Sequence, residues 1–216
     1  WTKKSQKTNT KFHKRASFVV DNGSTLVEMG YKSEIIGISV KNNPDKPRGK
    51  RYKLCIVDEI GLITNPIHLF SSLRHGAEED GSAFGLIILQ GTGGKNSADY
   101  SEMRKLYYEP DIYNLLEIDN IWDDGKIGTP CGFFWPRYYN MRGFMDEDGN
   151  SLIDDARKYE MLEREKLITK ASDKNQIDTY VAERPFCPEE SLLQVSGNIF
   201  PKKELLNHLS YIQNTE

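Results

Sequence analysis

The sequence predicts an α/β fold with a mostly parallel sheet flanked by helices. Two continuous apolar runs, "LCIV" at 54–57 and "LIIL" at 86–89, are typical of strands buried on both faces of a parallel sheet. A stretch of helical character follows each run, at 65–80 and at 97–110. Another strand-like run lies at 113–122, so strands and helices alternate along this part of the chain.

The segments on either side of this alternation have a different character. The dipeptide Asn22-Gly23 predicts a hairpin between two short strands, and "SEIIGISVKN" predicts a further strand. From Pro130 the chain is rich in aromatic residues, and it then continues into the longest helical pattern, which Ser151 can cap. We therefore divide the sequence into 1–129 and 130–216.

Composition excludes several classes of protein. The chain has 216 residues, of which 38% are apolar, and its net charge of −3 gives no bulk signal for nucleic-acid binding. The basic stretch 1–16 is interpreted as a solvated end or as an edge that faces DNA. The three cysteines are far apart and form no C-x-x-C, so neither a zinc site nor a disulfide framework is indicated, which fits a reduced, intracellular setting. No signal peptide or membrane-spanning stretch is visible.

Two adjacent acids, Asp58 and Glu59, follow the first apolar run directly. The carboxyl ends of parallel strands form the crevice in which α/β sheets bind ligands. Four apolar residues followed by two acids match the Walker B motif of P-loop NTPases, in which the first acid holds Mg²⁺ and the second polarises the attacking water. The structural alternative is a strand-end acid that caps the next helix.

Two polar residues, Gln90 and Thr92, follow the second apolar run at the corresponding point. In this class of NTPase a polar group there senses the γ-phosphate, so we predict that both residues contact a nucleotide. The neighbouring glycines allow a tight turn and a close backbone approach. A glycine-rich turn without a ligand is the alternative.

The phosphate-binding loop G-x-x-x-x-G-K-[ST] is missing from the sequence. None of the three Gly-Lys pairs is followed by Ser or Thr; the following residues are Arg51, Asn96 and Ile127. We expect the loop to lie upstream of Trp1, which makes the chain a fragment of a longer polypeptide. The acids at 146–148 suggest calcium, but Gly149 has the wrong offset for a helix–loop–helix site, so we predict a solvated turn.

Taken in order, these motifs resemble the large subunit of tailed-phage terminases, the ATP-driven motor of DNA packaging. The resemblance covers roughly residues 40–201, and Leu192 departs from the family's usual aromatic. The matching residues are Arg48-Gly49 before the strand, Asp58 and Glu59 as Walker B, Gly91, Thr92, Gly93 and Gly94 as the coupling motif, and Glu183, Pro185, Pro188, Glu189, Glu190, Gly197 and Phe200 as the late motif.

The resemblance implies hydrolysis of ATP coupled to translocation of double-stranded DNA into procapsids. Asp58 would hold Mg²⁺, Glu59 would activate water, and Gln90 and Thr92 would contact the nucleotide. Residues 1–129 would be the C-terminal part of a partial P-loop NTPase core. Residues 130–216 would form an aromatic-rich hairpin, a helical segment and a linker towards a nuclease domain.

The resemblance also implies partners and a location. These are a homo-oligomeric ring, the portal protein and the small terminase subunit, in the cytoplasm of the infected bacterial host and away from any membrane. Duplex DNA would be held through its phosphates. Ring motors usually complete the site with an arginine from a neighbouring subunit, for which Arg74 and Arg104 are the candidates nearest in sequence.

Two other functions remain open at this stage. One is a helicase-like ATPase, which is disfavoured because helicases carry an arginine-rich late motif that "GFFWPRYYN" does not resemble. The other is a non-catalytic interaction module with a degenerate NTPase fold. A complete coding sequence without any phosphate-binding loop would favour the module.

Overall fold

The computed structural model describes residues 2–3, 11–41, 43–93, 100–170 and 174–192. These residues form short strands and α-helices, which confirms a mixed α/β class. The strands are β1 (Thr2–Lys3), β2 (Lys11–Arg15), β3 (Phe18–Asp21), β4 (Leu26–Met29), β5 (Glu34–Ile38), β6 (Leu54–Val57), β7 (Glu78–Glu79), β8 (Ser82–Ala83), β9 (Leu86–Leu89), β10 (Ile118–Asp119) and β11 (Pro130–Cys131). The helices are α1 (Pro66–Ala77), α2 (Ser101–Tyr108), α3 (Ile153–Lys170), α4 (Lys174–Glu183) and α5 (Pro188–Ser191).

Most strand pairs are antiparallel, in contrast to the predicted sheet. One three-stranded sheet has the order β1-β2-β5, and the hairpins β3-β4, β7-β8 and β10-β11 are separate two-stranded sheets. Within the described ranges, β6 and β9 form the single parallel pair, with Leu54 opposite Leu86 and Val57 opposite Leu89. The fold is therefore a mixed α/β arrangement of small sheets, and the mostly parallel sheet is not what the described residues show.

The third predicted strand does not join the parallel pair. Of the run 113–122, β10 comprises only Ile118 and Asp119, and it pairs antiparallel with β11. The reason lies in Asn120, whose side chain is fully buried and accepts the backbone N–H groups of Trp122 and Asp123 at 3.0 and 3.1 Å. These bonds close a tight turn, because an Asn side chain can satisfy backbone donors two and three residues ahead.

The parallel pair is buried on one face only. Val57 is buried there in a core that α1 covers, whereas Leu54 and Ile56 on the opposite face are 54% and 56% exposed. The prediction that these strands are buried on both faces is therefore wrong for the described chain. The buried members of the core are Val57, Ile60, Ile63, Leu69 and Leu73, with Val40, Tyr52, Cys55, Ile87, Leu89 and Met103 packed around them.

The helices after each parallel strand are confirmed. α1 begins at Pro66, where proline costs nothing because the first helical N–H groups have no partner within the helix. α2 ends before Pro110, as predicted. The long helical pattern is divided between α3 and α4, and Ser151 does not cap it, because its hydroxyl accepts the backbone N–H of Asn140 at 2.9 Å.

Two predicted turns are also present. The β3-β4 hairpin turns through Asn22, whose side-chain oxygen accepts the N–H groups of Ser24 and Thr25. In the acidic turn, Asp146 accepts the N–H groups of Asp148 and Asn150 at 3.0 and 2.7 Å. Among the residues that the structure describes, no helix combines the length and apolarity needed to cross a membrane.

Candidate functional site

The candidate site lies where the two parallel strands end. Because Val57 and Leu89 are paired in register, the residues that follow them lie side by side. The N–H of Gln90 donates to the carbonyl of Val57 at 2.9 Å, and the N–H of Ile60 donates to the carbonyl of Gln90 at 3.0 Å. These backbone bonds hold the two chain segments together beyond the ends of the strands.

Asp58 is exposed at this edge and is bonded to the neighbouring strand. Its Oδ1 accepts the side-chain amide of Gln90 at 3.2 Å and the backbone N–H of Glu59 at 3.1 Å. Both recorded bonds use the same oxygen, so Oδ2 is the atom best placed to accept a further donor or a cation. The structure therefore brings together the first pair of predicted site residues.

Glu59 and Thr92 form the second pair. The hydroxyl oxygen of Thr92 lies 3.0 and 3.1 Å from the two carboxylate oxygens of Glu59. A hydroxyl has one proton, so it donates to one oxygen at a time while remaining within reach of both. All four predicted site residues, Asp58, Glu59, Gln90 and Thr92, thus occupy one edge of the parallel pair.

Glu59 has an unusual backbone conformation. Its φ of 52° and ψ of 49° lie in the left-handed region, which costs a non-glycine residue about 1–2 kcal/mol. This conformation turns the chain from β6 into a 3-10 turn, Ile60–Leu62, whose first residue is buried. Such strain persists where neighbouring contacts fix it, and it concentrates at functional sites.

The glycine loop after β9 packs against the C-terminal helices. A Cβ atom on Gly93 would lie 2.1 Å from the carbonyl oxygen of Ser191 and 2.6 Å from that of Ala182, so only glycine fits there. Gly91 also approaches closely, since its Cβ would lie 3.2 Å from the nitrogen of Ile60. Gly94, the last residue of the predicted coupling motif, lies outside the described residues.

Tyr100 supports the loop from the other side, although no sequence motif includes it. Its side chain is 1% exposed, its hydroxyl donates to the carbonyl of Thr92 at 3.4 Å, and its ring fills the space beside Gly61. An aromatic residue just before α2 was the available signal, but the pattern alone could not show that its ring would reach Gly61.

The acids of the late motif are buried in ion pairs. Glu189 accepts two bonds from the guanidinium of Arg104 at 2.8 and 3.0 Å and also binds Lys126. Glu190 similarly accepts two bonds from Arg164, at 3.0 and 2.9 Å. These acids therefore join α5 to α2 and α3. Gly197 and Phe200 of the same motif lie outside the described residues.

The environment of Glu189 stabilises its charged form. Burial raises its pKa, but the hydrogen bonds and charges of Arg104 and Lys126 outweigh burial, so the pKa lies below the ordinary value of 4.5. Burial tends to lower the pKa of Arg104, and Glu189 raises it above the ordinary value. The pair is therefore charged throughout the neutral range.

Both candidate arginines for a neighbouring site are engaged within the chain. Arg104 binds Glu189, and Arg74 donates to Glu78 at 2.9 Å along the same helical segment. Either arginine would have to break its ion pair with Glu189 or Glu78 in order to contact a second subunit.

A magnesium ion at the strand ends would have few protein ligands. In the described part of the chain, no cluster of three or more His, Cys, Asp or Glu is placed to hold a metal. Mg²⁺ in nucleotide sites commonly takes only one or two carboxylates and receives its other ligands from phosphates and water. Asp58 is the acid that would supply such a carboxylate, because the bonds from Gln90 and Glu59 both go to its Oδ1 and leave Oδ2 for a metal.

Comparison with known proteins gives no relative for this chain. Neither a protein-family model nor a curated protein or solved structure matches it.

Proposed function

We propose that this chain is part of an ATP-hydrolysing motor that resembles the large subunit of viral terminases and moves double-stranded DNA into procapsids. The observation that carries the proposal is the pairing of Asp58 with Gln90 and of Glu59 with Thr92 at the carboxyl edge of β6 and β9. That edge is the usual place for ligands in α/β sheets. The proposed ring, the portal and small-subunit partners and the host cytoplasm follow from the resemblance.

Each of the four side chains has a distinct role in the proposal. Asp58 would hold Mg²⁺, and Gln90 orients that carboxylate through the hydrogen bond from its side-chain amide. Glu59 orients and polarises the attacking water. When bound, Mg²⁺ neutralises charge that develops on the phosphate oxygens. The contribution of the chain is positioning and electrostatic stabilisation rather than covalent chemistry.

Thr92 links the water-activating residue to the rest of the chain. Its hydroxyl contacts the Glu59 carboxylate, and its carbonyl accepts the hydroxyl of buried Tyr100. The adjoining Gly93 packs directly against carbonyl oxygens of α4 and α5. A displacement of Thr92 on phosphate release would therefore be transmitted to these helices. This continuous path of contacts supports the coupling role that the resemblance assigns to the glycine loop.

The proposal requires a phosphate-binding loop outside these 216 residues, because none of the Gly-Lys pairs meets the pattern. In the longer protein that the proposal requires, β6 and β9 would be neighbouring central strands of a P-loop NTPase sheet. The exposed apolar side chains of Leu54 and Ile56 are compatible with further elements packing on that face.

The decisive experiment is Glu59→Gln in the protein that carries this chain together with its phosphate-binding loop. We expect ATP turnover to fall by roughly 10²–10⁴-fold, the contribution of a positioned acid–base group, while nucleotide binding is retained. Turnover and nucleotide affinity are measured separately. Glu117→Gln, at an exposed site directly before β10 and outside the four candidate residues, is the matched control. Unchanged turnover in Glu59→Gln would overturn the proposal.

One observation favours a non-catalytic interaction module as the second candidate. The parallel pair comprises two strands and leaves an apolar face exposed, as a binding surface for another protein would. In that case the complete protein lacks a phosphate-binding loop and shows no ATP turnover with or without Glu59. The same assay therefore distinguishes the two candidates.

A further inference from the structure

A cavity of about 520 Å³ lies at the opposite end of β6 from Asp58. It is lined by residues 48–51, which precede the strand, and by Ser72, His75 and Gly76 from the end of α1. Because β6 has four residues, the strand alone separates this cavity from Asp58 by about 13 Å. The cavity is therefore distinct from the candidate hydrolytic site.

The backbone around the cavity is built by two glycines. Gly49 has a φ of +74°, a conformation that glycine adopts without strain. Gly76 allows the loop to lie directly on α1, because a Cβ there would meet the carbonyl oxygen of Lys50 at 2.4 Å. The loop is further tied to the helix by Tyr52, whose N–H donates to the carbonyl of Gly76 and whose hydroxyl donates to that of Leu73.

Three of the seven residues that line the cavity carry a permanent positive charge. Arg48, Lys50 and Arg51 lie within four consecutive residues, and His75 faces them from α1. Two carboxylates contact these cations. Asp45 lies 2.8 Å from Arg48 Nε, and Glu79 lies 2.8 Å from Arg51. Asp45 also contacts His68 at 2.9 Å. The three cations of the lining thus exceed by one the two carboxylates that contact them.

Hydrogen-bond donors remain for a ligand. A guanidinium has five N–H donors, so the recorded contact of Arg48 with Asp45 through Nε leaves others. Lys50 and His75 form no ion pair with the residues that the structure describes. Ser72 is 4% exposed; its hydroxyl accepts from Arg48 Nε and donates to Asp45, each at 3.4 Å, so it helps to position Arg48 beside the cavity.

We propose that this cavity binds a phosphate group, with Lys50 and Arg48 as its principal cations and Arg51 at its rim. Guanidinium and ammonium groups on one loop suit tetrahedral oxyanions, and the volume lies within the usual range for small-ligand sites. The phosphate is either free, as inorganic phosphate or on a nucleotide, or part of the backbone of duplex DNA. The site does not depend on hydrolysis at Asp58.

Titration of the full chain with inorganic phosphate, followed by amide NMR signals, tests the site. We expect millimolar binding that shifts the signals of Gly49 and Gly76. Lys50→Glu should weaken binding by at least about tenfold, because it replaces an attractive charge with a repulsive one. Lys158→Glu makes the same change in net charge on α3, at a side chain that is 76% exposed, and should leave binding unaffected.

Lys50→Gln is a second variant for the case in which charge reversal at position 50 unfolds the protein. It removes the positive charge and retains a long polar side chain. It should also weaken binding while leaving the amide spectrum folded. A short DNA duplex is then added as competitor: displacement of phosphate, sensitive to salt, identifies backbone phosphates as the source, and absence of displacement identifies free or nucleotide phosphate. Absence of shifts at Gly49 and Gly76, or equal weakening by Lys50→Glu and Lys158→Glu, overturns the proposal.

Discussion

At the scale of single residues, the contact between Glu59 and Thr92 is the most informative. Two features restrict the position of the Glu59 carboxylate. The backbone of Glu59 is left-handed, and the hydroxyl of Thr92 lies within 3.1 Å of both carboxylate oxygens. Neither group reacts with the other. Thr92 is therefore best described as a residue that positions Glu59, with direct contact to a nucleotide as an additional role under the proposed function.

Replacing Thr92 tests this positioning role. Thr92→Val keeps the shape of the side chain and removes the hydroxyl, and hydrogen bonds to charged groups are worth about 1.5–3 kcal/mol. Under the proposed function, Thr92→Val should lower ATP turnover of the complete protein between roughly tenfold and a hundredfold, with a smaller change in KM. Thr92→Ser restores the hydroxyl and should recover most of the activity. Equal rates for the Val and Ser variants would contradict the role.

At the scale of elements, the late motif is a connector between helices. The four-residue helix α5 presents Glu189 to α2 and Glu190 to α3, and the carbonyl of its last residue, Ser191, lies against Gly93. A helix this short is not stable by itself. It is held by two buried, bidentate ion pairs, which are strongly destabilising to break once one partner is removed.

Stability at low pH tests the Glu189 pair. A carboxylate whose pKa is depressed on folding contributes stability above its unfolded pKa and loses it as the pH falls through the folded pKa. The free energy of unfolding should therefore decline as the pH drops below 4.5. Glu189→Gln should lower this free energy by about 3 kcal/mol at neutral pH and reduce its dependence on acid.

The matched control is Glu79→Gln. Glu79 also has a lowered pKa, because Arg51 donates a hydrogen bond to it, but the side chains of this pair are 56% and 59% exposed. Exposed ion pairs contribute little to stability. Denaturant unfolding across pH should separate the two variants, and indistinguishable profiles would contradict the structural role of Glu189.

At the scale of the whole molecule, the parallel pair is covered on one side only. The core of Val57, Leu69 and Leu73 lies between β6 and α1, and the other face exposes four large apolar side chains. These exposed residues are Leu54, Ile56, Leu86 and Ile88.

Neighbouring substitutions in β6 test this one-sided burial. Thr has the β-branched shape of Val and Ile, so Val57→Thr and Ile56→Thr both preserve strand propensity. Val57 is 7% exposed, so Val57→Thr should lower the free energy of unfolding by about 1–3 kcal/mol through an unpaired buried hydroxyl. Ile56→Thr should change it by no more than about 0.5 kcal/mol. Denaturant unfolding of this chain measures both, and equal losses would show that both faces are covered.

Local patterns were sufficient for the two parallel strands and for the composition of the candidate site. A continuous apolar run predicts a strand, and β6 and β9 form within the two runs. Polar residues that follow two parallel neighbours must share one edge, so Asp58, Glu59, Gln90 and Thr92 could be grouped before any contact was known. The Asn-Gly turn and the helix that begins at Pro66 were likewise local, because backbone geometry alone decides them.

Tertiary structure decided what no local pattern contains. The single buried face of the parallel pair depends on which elements pack against it, and the antiparallel pairing of β10 depends on the buried side chain of Asn120. The partners Arg104 and Glu189 are 85 residues apart, and their pairing arises only when α2 and α5 meet. By itself the sequence determined which residues follow the two parallel strands. The tertiary structure determined which distant residues contact them, because such contacts depend on how the elements pack.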